Sequence, residues 1–397
     1  MNRELIKMAL ILGLMALIGP FSIDMYLPAL PKLAEDLGTS EATSQLTLTA
    51  YFIAFAVAQL FYGPASDMFG RKKPIYAGLA IFVLASLGCA FAPDITWLMA
   101  FRFFQGLGAA SVMSIPRAII RDRYTGPEAT RLMSTIMLVI SVSPMLAPLV
   151  GSIITVPFGW RAVFIAVLLA TLVSVLLTMF VLPETLPPEE RVPFKLSEML
   201  HSFGILLRDS NFLGLTFIGG LGMAAFFTFL GSASFVYMDF FELDPTQFSI
   251  AFAAGAAGFF IASQFAANAM RWFGPTNLIR GATLGYAAFM VALLVIFLAG
   301  FGNLWVMIIM LVLANIFMGF IMPSSMVLAL EEHGHIAGAA ASLGGTLQML
   351  TGTIAMAIGS SVYNGSPIPM LVIMAVCASG TVILALLLVK NRIVAAA

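Results

Sequence analysis

An all-α integral membrane protein, its transmembrane helices divided into two sets of six, is the fold class this sequence predicts. Three observations predict it. Of 397 residues, 61% are hydrophobic and only 10% are charged, too few charges to clothe a water-facing surface. Apolar windows of roughly 22 residues, each long enough to cross a bilayer, recur about twelve times. One long polar interruption, 183–210, separates six of these windows from the other six.

The first window, 5–28, follows Arg3 and Lys7 and could be mistaken for a secretory leader. It is too long for a leader's apolar region, lacks a small-x-small cleavage site and contains Asp24, so it is predicted as helix one. The remaining helices are predicted at 44–62, 74–92, 97–120, 131–156, 161–182, 211–238, 246–270, 277–300, 304–329, 338–362 and 368–390. This places Arg3, Lys7, Arg71, Lys72, Lys73, Arg121, Arg123, Arg131, Arg191, Lys195, Arg208, Arg271, Arg280, Lys390 and Arg392 on one side. Lys32 and Arg161 fall on the other, with Glu35, Asp36, Glu41, Asp94, Asp239, Glu242 and Asp244. Cationic loops stay in the cytoplasm, so both termini of this multi-pass protein are expected there.

Residues 1–182 are expected to form the N-terminal bundle, 183–210 a cytoplasmic linker and 211–397 the C-terminal bundle. The linker opens on Pro183, Pro187 and Pro188, which stop helix six. Its stretch from Phe194 to Leu207 has the mild amphipathic rhythm of a helix lying on the inner surface. Cys89 and Cys377 fall inside separate spans and suggest packing rather than a disulfide. His333 and His335, beside Glu331 and Glu332, read as a solvated polar loop, since a metal would need further ligands.

Asp24 and Arg102 are the ionisable groups predicted to lie well inside spans, where each costs roughly 2.5–3.5 kcal/mol on insertion scales and needs a partner or a hydrated cavity. Both fall at a similar outer depth. Burial disfavours the ionised form of a carboxyl and a neighbouring guanidinium restores it, so the pair suits proton coupling. A static ion pair that fixes helix packing is the other account. Helix four continues from Arg102 through Gln105, Gly106 and Gly108, and the glycines permit close helix contact. Helix five carries Pro144, Ala147, Pro148, Gly151 and Ser152, small residues and prolines of the same kind.

The run from Gly63 through Asp67, Gly70, Arg71, Lys72 and Lys73 is expected as a tight cytoplasmic turn between helices two and three, with Arg121 and Asp122 joining its charge cluster. Gln264 to Gly274 occupies the matching place in the second half, where Phe273-Gly274 mirrors Phe69-Gly70 without the acid. Candidate substrate-binding residues at useful depth are Tyr26, Tyr51, Phe55, Gln105, Met113, Phe226, Tyr237, Asn315 and Gln348, with Phe227 and Phe229 nearby. Helix packing and helix-to-helix hydrogen bonds are competing explanations for them.

The turn resembles the G-x-x-x-D-x-x-G-R-[KR]-[KR] loop of the major facilitator superfamily. Helix four resembles the R-x-x-Q-G-x-G pattern of its drug exporters. Ala147, Pro148 and Gly151 look like a softened G-P-x-x-G-G antiporter motif. Asp24-Met-Tyr26-Leu-Pro28-Ala-Leu-Pro31 is similar to the end of helix one in the bicyclomycin and chloramphenicol resistance branch of the twelve-helix drug:proton antiporters.

The resemblance implies the major facilitator fold and proton-coupled efflux of small lipophilic drugs by alternating access, with Asp24 and Arg102 coupling protons. It makes Gly63, Asp67, Gly70, Arg71, Arg121 and Asp122 a conformational latch, and Ala147, Pro148 and Gly151 packing residues. Export of a metabolite or amino acid, or proton-independent facilitation, is the alternative on the same fold. The partners expected are a drug, protons and membrane lipid, with no nucleic acid and no cofactor, in a monomer. An enzyme is disfavoured for want of an embedded nucleophile or metal cluster, and an ATP-driven pump for want of a G-x-x-x-x-G-K-[ST] loop. The absence of a second strong intramembrane acid favours neutral cargo over dications.

Overall fold

The computed structural model describes residues 3–388 except 194 and 332. Glu332, Phe194, Lys390 and Arg392 therefore lie outside the described residues, as do the side chains of Arg3 and His335. The described residues form α-helices and short helical turns with no strand, and 12 helices are long and apolar enough to cross a membrane. Two compact units result. The first runs to Lys195 and includes Glu242–Ala253, and the second comprises Leu196–Phe241 and the chain from Ala254 onward.

The first unit contains α1 (Arg3–Asp24), α2 (Leu30–Asp36), α3 (Glu41–Phe69), α4 (Lys72–Ala90), α5 (Ile95–Arg123), α6 (Gly126–Phe158) and α7 (Arg161–Phe180). The second contains α8 (Leu196–Leu206), α9 (Ser210–Phe235), most of α10 (Pro245–Phe273), α11 (Pro275–Leu298), α12 (Leu304–Glu331), α13 (Ala337–Val362) and α14 (Ile368–Leu388). A π-turn, Val236–Phe240, extends α9.

Several helices run beyond their predicted ends because polar caps satisfy their first amide groups outside the apolar windows. The side chain of Ser40 accepts from the Thr43 amide at 3.1 Å, and Asp94 accepts from Thr96 and Trp97 at 2.9 and 3.0 Å. Asp209 accepts from Asn211 and Phe212 at 2.7 and 3.2 Å.

Helix one is the opposite case. The predicted helix 5–28 stops at Asp24, and a 3-10 turn, Leu27–Ala29, leads into α2. Pro28 and Pro31 cause the break: each fits the first turn of a new helical segment and neither can donate to a continuing one.

The α3–α4 connection is shorter than expected. Gly63 is not part of it, because α3 continues through Pro64 to Phe69 and the turn is only Gly70-Arg71. Gly70 has φ +87°, and its counterpart Gly274, which follows α10 directly, has φ +75°. Both helices end on a phenylalanine followed by a glycine in the left-handed region, so the worn repeat in the sequence survives as a shared turn.

Candidate functional site

Arg102, on α5, is fully buried. Its Nη1 donates to the Ser22 carbonyl of α1 at 3.1 Å and to Gln105 Oε1 at 2.5 Å. Gln105 passes the constraint on, since its Nε2 donates to Ser86 Oγ of α4 at 2.8 Å. Aromatic rings close the remaining sides: the guanidinium carbon lies 4.5 Å from the Tyr51 ring centroid, 4.9 Å from Tyr26 and 5.9 Å from Phe164. Desolvated cation–π contacts of this kind contribute about 2 kcal/mol. The Tyr51 hydroxyl meets Ser22 Oγ at 3.0 Å, and that of Tyr26 meets Thr47 at 2.9 Å. Nε and Nη2 of Arg102 have no hydrogen-bond partner.

Glycine brings the backbones close enough to build this cage. A Cβ on Gly106 would collide with the Tyr51 carbonyl of α3, and one on Gly108 would meet the Gly78 carbonyl and Phe82 of α4. On α6, Ala147, Pro148 and Gly151 are all buried, and a Cβ on Gly151 would strike the Met25 backbone. That contact seats α6 against the broken end of helix one.

Asp24 occupies this break and is 5% exposed. The static ion pair, the competing account of these two residues, is not formed: no carboxylate oxygen lies within 4.0 Å of an Arg102 nitrogen among the described residues. The guanidinium is instead held by a carbonyl, an amide and aromatic faces. Arg102 grips Ser22, two residues before the acid, so the two groups share a depth without sharing a bond.

Several substrate-binding candidates belong to this scaffold. Tyr26, Tyr51 and Gln105 are fully enclosed, and each contacts Arg102. Phe55 is 5% exposed and stacks on Tyr51 at 6.4 Å. Met113 is partly exposed and packs onto Gly19 of α1. In the second unit, Tyr237 is buried within the π-turn, edge-on to Phe229 at 6.2 Å. Asn315 is partly exposed and donates to the Gly255 carbonyl at 3.2 Å, a bond from α12 to α10. Gln348 and Phe226 are also partly exposed, the former lying over Gly219 of α9.

The other charged centre of the first unit is built on Arg71. Its Nε and Nη2 donate to Asp122 at 2.7 and 3.0 Å, and its Nη1 to Asp67 at 2.5 Å and Ser66 at 2.7 Å. Burial works against the charge, but the Asp122 and Asp67 carboxylates hold the guanidinium pKa above its ordinary value. Arg121 does not join this cluster. It is exposed, because Asp122 takes the inward-facing position at the end of α5.

Glu184, which follows Pro183 in the linker, was not expected here. Its carboxylate accepts from the amides of Arg71 and Lys72 at 2.8 and 3.1 Å and from those of Thr185 and Leu186 at 3.0 and 3.1 Å. Burial pushes its pKa up, yet these amides hold the carboxyl below its ordinary value. A Cβ on Gly70 would sit 2.8 Å from Glu184 Oε2, so the turn needs glycine for space as well as for φ. The only available signal was an acid immediately after a helix-stopping proline.

Two further residues depart from expectation. His333 is buried, 6% exposed, with Nε2 3.1 Å from Asp209 Oδ2 and its ring against Phe212, so it is not a solvated loop residue. Arg117 was assigned to neither side of the membrane. Because α5 runs to Arg123, Arg117 lies about 9 Å inside the helix end, and its Nε is buried with no partner.

The chain matches the Major Facilitator Superfamily profile over residues 12–359. It is 36% identical over 359 residues to the MFS-type transporter YdgK of Bacillus subtilis, covering 89% of this chain and 88% of that protein. It is 30% identical to a bicyclomycin resistance protein homolog of Haemophilus influenzae, over 93% of this chain and 92% of the relative. Multidrug resistance protein MdtL of Escherichia coli O9:H4 matches at 31% over 59% of each chain. Among solved structures, the xylose transporter XylE from E. coli superposes with a TM-score of 0.75 at 13% identity, covering 98% of both chains, which shows the fold alone. The chain is therefore a multi-pass membrane transporter, not an enzyme, and belongs to the Major Facilitator Superfamily, with relatives named for bicyclomycin and multidrug resistance.

Proposed function

We propose that the protein exports small lipophilic drugs of the phenicol or bicyclomycin type across the bacterial inner membrane in exchange for protons, by alternating access with both termini in the cytoplasm. The relative named for bicyclomycin resistance supports the cargo class. The observation that carries the coupling is Asp24, an enclosed carboxyl at a helix break that shares the depth of a guanidinium with two unbonded nitrogens. Ionised, Asp24 turns toward those nitrogens and favours capture of drug from the cytosol or inner leaflet. Protonated from outside, it lets go, and the drug is released as the carrier resets. One charge crossing about 100 mV contributes roughly 2.3 kcal/mol, enough for useful uphill export when a pH gradient adds to it.

Reconstituted protein given an imposed pH gradient and labelled chloramphenicol tests the proposal. Uphill drug movement should collapse when the gradient is dissipated, and Asp24→Asn should move drug at the dissipated rate under either condition. Wild-type flux that ignores the gradient would favour the proton-independent facilitator instead.

A further inference from the structure

We propose that Ser249 is a releasable latch: through it the first third of α10 docks on α6, and its release frees that segment on the side of the membrane opposite the termini. The inference deepens the alternating-access reading and rests on it only for the movement that undocking serves. α10 is the eighth of the 12 candidate spans, so it begins on the side opposite the N-terminus.

α10 is one helix divided between the two units. Its start, as far as Ala253, belongs to the first unit, and the helix from Ala254 onward belongs to the second. The longer part is fixed to α12 by backbone approaches that glycine permits. A Cβ on Gly258 would sit 2.8 Å from the Val312 carbonyl, and one on Gly319 would sit 2.6 Å from the Phe259 carbonyl. Asn315 of α12 adds its hydrogen bond to the Gly255 carbonyl.

The start of α10 is held by less. Phe248, Ser249 and Phe252 are buried while Thr246, Gln247 and Ile250 are exposed, so one face of the segment is docked. Ser249 Oγ donates to the Pro148 carbonyl of α6 at 2.9 Å. The same hydroxyl lies 2.8 Å from the Pro245 carbonyl, one turn back in its own helix. A hydroxyl has one proton to give, and here two acceptors compete for it, so on leaving α6 it keeps a partner. Pro148 lies within the continuous helix α6, whose ladder continues to use its carbonyl. Breaking the contact therefore strands no buried polar group, which distinguishes a latch from a permanent tie.

The segment also caps itself. Asp244 Oδ1 accepts from the Thr246 and Gln247 amides at 2.8 and 2.9 Å, and Gln247 Oε1 accepts from the Asp244 amide at 3.1 Å. This reciprocal cap needs nothing from α6. The apolar face can turn toward lipid without the penalty that water would impose, since lipid tails are as apolar as leucine. Pro148 stands one turn before Gly151, the residue that meets the Met25 backbone. The latch thus bears on the turn of α6 that seats the helix-one break beside Asp24.

Spin-label distance measurements on the full-length protein in nanodiscs, with neither drug nor pH gradient, test the inference. Cys89 and Cys377 are buried, so labels can be directed to exposed positions. One pair, Thr246→Cys with Phe158→Cys, spans the docked contact, and a second, Ile250→Cys with Phe265→Cys, spans the two parts of α10. Ser249→Ala should raise the ratio of long to short distances in the first pair about fivefold, the weight of one neutral hydrogen bond. The second pair should keep its wild-type distance, because the helix leaves α6 in one piece. An unchanged ratio in the first pair would overturn the inference, as would a second-pair distance that shifts in Ser249→Ala. Loss of proton-driven export would leave both distances untouched, so the two proposals fail separately.

Discussion

Arg71 and Arg102 are two buried guanidinium groups of the same unit, and they are satisfied in opposite ways. Arg71 is locked between two carboxylates and a hydroxyl. Arg102 has a carbonyl, an amide and three aromatic faces, and keeps two nitrogens unbonded. The first arrangement more than compensates the cation with two carboxylates, suited to fixing the α3–α4 turn against the end of α5. The second keeps a net charge in a dry surrounding, an expensive state that a soluble core would avoid. An acid two residues beyond its anchoring carbonyl makes that charge useful.

Breaking the second centre should abolish function, while breaking the first should chiefly cost stability. Arg102→Ala should lower pH-driven drug accumulation to the level of empty vesicles with the protein still folded. Arg102→Lys should leave an intermediate rate, since an ammonium cannot reproduce the planar contacts with Tyr26 and Tyr51. A folded Arg102→Ala carrier with unchanged drug-stimulated proton release would erase the distinction between the two arginines.

Smaller effects should follow at the supporting residues. Arg71→Ala strands Asp122, whose side chain is 12% exposed, and should destabilise the protein by about 3 kcal/mol in denaturant melts. Drug transport per folded molecule should keep its dependence on the gradient. Gly106→Ala drives a methyl into the Tyr51 carbonyl and should cost about 1–3 kcal/mol, with weaker proton coupling because the cage is displaced. Asp67→Asn, at a carboxylate whose side chain is 45% exposed, should shift stability by only about 0–1 kcal/mol.

The linker acid gives the smallest and most specific signature. Glu184 has a folded pKa below its ordinary 4.5, so its contribution to stability is present above that ordinary value and is lost as pH falls through the folded one. Melting curves of wild type and Glu184→Gln should differ at neutral pH and converge in acid. A gap that widened on acidification would refute the capping role.

The sequence and the structure agree where pattern and physics act locally. Apolar windows located the spans, and Phe69-Gly70 with Phe273-Gly274 marked equivalent turns because a left-handed glycine is required at both. The depth of Asp24 and Arg102 was legible from distance along the helices. Their lack of an ion pair was not, because it depends on where the break at Asp24 turns the chain and on how closely Gly106 lets α3 approach. Tyr26 and Tyr51 looked like ligand-facing aromatics since nothing in a linear sequence shows that they face Arg102. Arg117 went unnoticed because it falls three residues before the end of a window judged from hydropathy alone, whereas α5 runs on to Arg123. Glu184 illustrates the same difficulty over a longer range: its four amide contacts include a turn more than a hundred residues earlier in the chain.

The coupling role of Asp24 is tested most directly by the proton movement that accompanies transport. Proteoliposomes loaded with a pH-sensitive dye and challenged with drug in the absence of any imposed gradient should show a proton flux opposite to the drug in wild type, and none in Asp24→Asn, although that variant still binds drug. A proton flux of wild-type size from folded Asp24→Asn would contradict the account.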